Sequence, residues 1–491
     1  MSLMSQSLLM EAQSLRLEGD IDGSIAVLRI VISNCNADAD QGAAAADAEM
    51  THQLWEMASY QLALLLLQTS GRCGNQTRER EADNILMKLG YRLRLSTKAF
   101  GYPACECTVD ESISKLKTND ESKLPLVISD EIVPQQLFLA LQHSLRPDST
   151  YWTKFYNQTN ESERRSDHNE GGKRRIFASH NVSLPNSTEL TYTKCIDKAS
   201  SLIEQVAIIV KHCLSQQFPS VLEASSVEVW AHRRPPDAQH QLHYDMDEIR
   251  LHALKQRHKN ECNSPTRESK KQKVDNSSKE SSKSIQAEDL SSMTKDLCPI
   301  ISCVLTVNVP NETKKCDGCG RFGDGAPTLV CNQSLLGRRR NEGWLCYPRQ
   351  NRLVAFEGSS LHAVVPGLPS EALDEDEVDC YRVTLMMGFW EDVTLTTVPD
   401  KASQCLTIAP NVPFPSSLLC EFQPVAFDAS AYPLHNHSTT VGPKIVRPLW
   451  AEIDQDGNSD EVVTATDADF SGRFFLKSTD PTEIDKTVLG I

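Results

Sequence analysis

Residues 240–248, HQLHYDMDE, pack two imidazoles and three carboxylates into one short stretch. In an extended strand, side chains two positions apart share a face. His243 and Asp245 can therefore offer a ring nitrogen and a carboxylate oxygen to one ion, with Tyr244 turned the other way. His240, three positions before His243, is expected on the opposite face. Asp247 shares the face of Asp245 but lies about 7 Å farther along a continuing strand. Asp247 and Glu248 are expected at the rim of a substrate entrance. An H-x-D pair alone arises easily by chance in a polar loop, so its meaning depends on partners elsewhere in the chain.

Three downstream features supply them. In NRLVAFEGSSLHAVVPG, His362 follows a Gly-Ser turn on a short apolar run. A histidine in that setting is more often a satisfied core residue than a ligand. As the third member after His-x-Asp, however, it completes a two-histidine, one-carboxylate facial triad, which leaves metal positions open and suits non-haem Fe(II). Arg382 lies twenty residues later in YRVTLMMGFW, sharing a face with Thr384 while Tyr381, Val383 and Leu385 take the other. An arginine turned into a barrel is costly unless it meets an anion. Its planar fork suits a carboxylate, and the Thr384 hydroxyl can add a donor. DGAPTLVCNQ, between the two halves of the triad, supplies a turn into another short strand.

These residues must be held by a sheet, and the chain from Ser226 onward reads as one. SVEVWAH, PIISCVLTVNV, PTLVC, NRLVAFEG and YRVTLMMGFW are short, β-branched or aromatic, and separated by Gly, Pro and Asn. Consecutive strands without intervening helices predict an antiparallel sandwich or barrel. Before it, VPQQLFLALQHSLRP predicts a helix opened by Pro134, and residues 196–218 an amphipathic helix packed on the sheet. Residues 5–99 read as two helical pairs resembling degenerate tetratricopeptide repeats, with a plain helical bundle as the alternative. The fold class is α+β. Its expected divisions are a helical region at 1–104, a linker at 105–130, a barrel domain at 131–400 and a C-terminal extension on the barrel at 401–491. A Lys/Ser-rich insertion at 255–295 has too few apolar residues to order itself.

Composition narrows the class. Among 491 residues, 40% are hydrophobic and 24% charged, with a net charge of −16, which argues against a nucleic-acid substrate. No apolar run is long enough to span a bilayer, and no secretory signal is seen. The 16 cysteines are scattered and read as reduced thiols of an intracellular, cytoplasmic or nuclear protein.

The set His243-Tyr244-Asp245, His362 within GSSLHAVVPG, and Arg382-Val383-Thr384 resembles the Fe(II)- and 2-oxoglutarate-dependent oxygenases. It is closest to their prolyl-4-hydroxylase-like branch, with a double-stranded β-helix (jelly-roll, cupin-like) core. The resemblance covers about residues 226–392. It implies Fe(II) on His243, Asp245 and His362, and 2-oxoglutarate with its far carboxylate on Arg382 and Thr384. It further implies O2 as oxidant, ascorbate as an optional reductant, and release of succinate and CO2. The interval from Asp245 to His362 is longer than usual for such a core, and the insertion accounts for much of the excess. The primary substrate is left open between a protein or peptide and a small molecule, and the N-terminal helices are a candidate protein-binding region. Two other readings are a helical-repeat interaction protein with an inactive barrel, and a cupin-type metal enzyme that uses no ketoacid.

Other clusters carry less. Cys316-x-x-Cys319 has the spacing of half a zinc site, but no second pair follows. Asp454 to Glu461 imitates a calcium loop without its glycine or final glutamate. His435 and His437 lack an acid partner.

Overall fold

The structure is a computed structural model. It describes residues 2–40, 45–101, 125–152, 179–185, 191–235, 238–247, 250–256, 297–310, 315–316, 320–321, 325–337, 340–367, 381–393, 414–432, 443–453 and 474–477. The body of the 255–295 insertion, Glu248, Cys319, His435, His437 and the 454–461 loop lie outside the described residues.

Four helices come first: α1 (Ser2–Leu17), α2 (Ile21–Asp40), α3 (Ala45–Cys73) and α4 (Gln76–Lys88), each packed on the next. Gly19, at φ +84°, turns the chain between α1 and α2 in a conformation that other residues adopt only with strain. Asn75 caps α4, its side-chain oxygen accepting from the Thr77 and Arg78 amides. Residues 62–67 of α3 (LALLLL) are all buried, as befits a helix apolar on every side. Strand β1 (Leu93–Leu95) and the single turn α5 (Thr97–Phe100) complete this layer.

Among the described residues, the rest of the chain builds two large antiparallel sheets. One runs in the order β2 (Leu126–Ser129), β11 (Leu353–Glu357), β6 (Ile301–Asn308), β13 (Arg382–Trp390), β4 (Ser226–Arg234) and β3 (His180–Ser183). The other runs β14 (Lys444–Val446), β10 (Gly343–Cys346), β9 (Thr328–Ser334), β12 (Ser360–Val364) and β5 (His240–His243). Strands β7 (Lys315–Cys316) and β8 (Gly320–Arg321) pair with each other. Residues 126–129, expected within the linker, are instead the edge strand β2, because Leu126 and Ile128 face the inter-sheet core.

Side-chain alternation sorts each strand. Val304, Val354 and Phe356 from one sheet meet Val330 and Trp344 from the other in the core between them. The outward residues of the six-stranded sheet, among them Val227, Val229, Leu305, Leu385 and Phe389, pack with α6 (Gln135–Ser144), α7 (Tyr192–Lys198) and α8 (Leu202–Leu214). The single helix expected over 196–218 is broken. Ala199 leaves the helical region at ψ 131°, and the Ser201 hydroxyl opens α8 by accepting from the Glu204 amide.

The outer face of the five-stranded sheet, including Tyr244, Leu329, Leu345, Leu361 and Ala363, shares one core with α1–α4. The Gln68 side chain of α3 donates to the Pro366 carbonyl at 2.6 Å. The C-terminal part divides its contacts. β14 joins the five-stranded sheet, whereas β15 (Trp450–Glu452) and β16 (Phe475–Leu476) pair with the two edges of β1. No helix among the described residues is long and apolar enough to cross a membrane.

Candidate metal centre

Strands β5 and β12 are neighbours, with His243 and His362 as direct register partners. Their ring centroids are 4.1 Å apart. Asp245 follows β5 by two residues and brings its carboxylate between them: Oδ1 lies 3.7 Å from His243 Nε2, and Oδ2 3.7 Å from His362 Nε2. One ligand atom from each of the three side chains falls within 4.8 Å of the others.

Both rings are oriented by backbone. His243 Nδ1 is 2.7 Å from the Gln241 carbonyl, and His362 Nδ1 is 3.0 Å from the Ser360 carbonyl. A carbonyl only accepts, so each Nδ1 carries a proton and each Nε2 is turned toward the Asp245 carboxylate. Burial and the adjacent His362 hold the His243 imidazole well below its ordinary pKa, so it is neutral. Asp245 Oδ2 and His362 Nε2 are buried without hydrogen-bond partners. Orphaned buried polar atoms cost about 1–3 kcal/mol each, and an ion among these atoms would remove that cost. The donor set of two imidazoles and one carboxylate therefore fits a divalent transition metal.

A cavity opens beside the triad, walled by Val304, Thr306, Thr328, Val354 and Met386 from both sheets. Arg382 and Thr384 line it from β13, and both are buried. One arm of the guanidinium donates to the Ala326 carbonyl at 2.5 Å, fixing its direction. His232 and Arg234, on the inward face of β4, line the same cavity. Sequence reasoning passed over them, although polar His232 and Arg234 alternating with outward Val229 and Ala231 form the signal that singled out Arg382.

Two expectations are corrected. His240 is not on the far side: it lines the cavity, its ring 4.4 Å from that of His243. The pairs His362↔His243 and Val364↔His240 set three steps of β5 against two of β12, an irregularity that shifts the alternation by one residue. Asp247 is buried rather than at a rim. Its carboxylate accepts from the Arg250 amide and pairs with the Arg250 side chain at 3.3 Å, capping a helical turn.

Farther along β4, the inward Glu228 is fully buried, accepting from Trp390 Nε1 at 3.2 Å. Burial pushes its carboxyl up to about 8. Its cross-strand partner is Gly388, where a Cβ would stand 3.2 Å from the same indole nitrogen.

A separate groove of about 480 Å³ runs through the helical layer, lined by Gln13, Arg16, Gln53, Tyr60 and Tyr91 and reaching Gln239, the neighbour of His240.

No family model matches the sequence, and no curated protein matches it. Among solved structures, the chain is similar to a Pseudomonas putida prolyl-4-hydroxylase. That likeness has 14% identity and a TM-score of 0.24, and covers 55% of this chain and 89% of that one.

Proposed function

We propose that the chain is an Fe(II)- and 2-oxoglutarate-dependent oxygenase. The observation that carries the reading is the convergence of His243 Nε2, His362 Nε2 and the Asp245 carboxylate beside an inward-facing arginine. His243, Asp245 and His362 would hold Fe(II), and Arg382 with Thr384 would take the far carboxylate of 2-oxoglutarate. Alternation of successive strands between the two sheets, from β4 to β6 and from β10 to β14, supports the double-stranded β-helix reading.

Iron bound with the ketoacid and O2 would supply the oxidising power to hydroxylate a C–H bond, releasing succinate and CO2. The chain's own residues prepare the site. Gln241 and Ser360 fix both imidazole tautomers, so no ring has to turn before a ligand atom is presented. Asp245 brings one negative charge, which leaves a divalent ion with net positive charge to attract the anionic ketoacid. The Ala326 carbonyl holds Arg382 in place before the carboxylate arrives, so less side-chain freedom is lost on binding. Val304, Val354 and Met386 present apolar walls that keep water from the reacting groups.

The test is succinate formation from 2-oxoglutarate by protein loaded with Fe(II), compared with Arg382→Gln. Turnover that requires iron and falls with the substitution supports the reading. A metal-loaded protein indifferent to 2-oxoglutarate would overturn it.

A further inference from the structure

We propose, resting on the oxygenase reading above, that Arg234 forms a second anion site at the mouth of the metal pocket. The primary substrate would then carry an oxyanion, a carboxylate or a phosphate, close to the C–H bond that is oxidised. Arg234 and Arg382 are direct register partners on β4 and β13, and both line the pocket. Side chains so opposed have Cβ atoms about 5 Å apart, and like charges there destabilise the pair. Among the described residues lining the pocket there is no Asp or Glu. The nearby acid, Asp245, is directed at the two histidines.

Among the described residues, the contacts of the Arg234 guanidinium are the Gln239 carbonyl at 3.0 Å and His240 Nδ1 at 3.2 Å. Both are acceptors: a guanidinium only donates, so the His240 Nδ1 that it meets carries no proton. They aim the guanidinium without neutralising it. A five-carbon dicarboxylate that chelates at the triad and ends on Arg382 has no third anionic group to offer. Arg382 is buried, whereas Arg234 is half-buried, so the outer cation is met by the molecule that enters second. Arg234 thus selects which primary substrate is seated, and Arg382 which co-substrate.

The test reads Arg234 itself. Wild-type protein loaded with Fe(II) and saturating 2-oxoglutarate under argon is treated with phenylglyoxal, and adducts at Arg234 are followed by peptide mapping. Acetate and methyl phosphate are the probes, with sodium chloride at equal ionic strength as the control. Protection by at least one probe of about tenfold is expected, and the stronger probe identifies the oxyanion. Absence of protection by both would overturn the proposal. So would full protection by 2-oxoglutarate alone, which would assign Arg234 to the ketoacid site. Succinate release when air is admitted to the same preparation keeps the two readings apart: its absence counts against the oxygenase assignment, whatever Arg234 does.

Discussion

His243 and His362 stand opposite each other across β5 and β12, and each ring is held by the carbonyl two residues before it in its own strand. Two strands far apart in sequence thereby present the same tautomer toward one carboxylate. The apparatus that orients the ligands is backbone, so it forms together with the sheet.

Metal binding is the first consequence. His243→Ala, His362→Ala and Asp245→Asn should each weaken Fe(II) or Mn(II) binding by about 10–100-fold or more. Anaerobic titration followed by metal analysis measures this. In wild type, added metal should raise the thermal midpoint, since it binds the native state alone. A similar rise in Asp245→Asn would count against these atoms as the site.

The proposed ketoacid contact can be tested apart from the proposed metal site. Arg382→Gln should raise the 2-oxoglutarate concentration for half-maximal succinate release by about 10–150-fold, because a charge-assisted hydrogen bond contributes about 1.5–3 kcal/mol. Thr384→Val should have a smaller effect, and both should bind metal as wild type does. Loss of metal binding in Arg382→Gln would place the arginine in the structure of the triad instead.

Glu228 predicts a pH dependence of stability. Its carboxyl titrates near 8 in the folded protein, raised chiefly by burial, and near the ordinary value of 4.5 when unfolded. Between those values the unfolded chain releases a proton that the folded chain retains. Stability should therefore fall as pH rises through this window, by about 1.4 kcal/mol per unit from this group, and level off above it. Glu228→Gln should flatten that part of the profile in urea unfolding. An unchanged slope would show that the carboxyl is ionised in the native state.

Asp130 and Arg352 test the scaffold. Arg352 is 1% exposed and pairs through Nε and Nη2 with both oxygens of Asp130, at 2.5 and 3.0 Å. Asp130→Ala would leave a buried guanidinium uncompensated and should cost about 3–5 kcal/mol. Chemical denaturation measures the loss, and a change under 1 kcal/mol would mean that the pair is solvated.

The triad is legible in the sequence because strand alternation is a local rule, and His243, Asp245 and Arg382 with Thr384 all obey it. His240 is misread for the same reason: an irregularity in β5 breaks the alternation, and nothing in HQLH marks it. Arg234 is equally local and equally inward, but its meaning comes from Arg382 across the sheet, a pairing between residues 148 positions apart. The helical layer is visible as helices, whereas its seat on the five-stranded sheet depends on contacts such as Gln68 with Pro366, which no periodicity carries.

The clasp of β15 and β16 around β1 also bears on the order in which the chain can mature. A ribosome delivers α1–α4 and β1 first, yet both edges of β1 are paired only once residues 450–452 and 475–476 have been made. Until then Leu93, Leu95 and Phe100 lack the cover of Phe474 and Phe475, and an open strand edge invites pairing with other chains. The helical layer precedes both sheets in synthesis and is among the last of these parts to close. A growing chain halted before residue 450 should accordingly draw on chaperones, while the released protein should not.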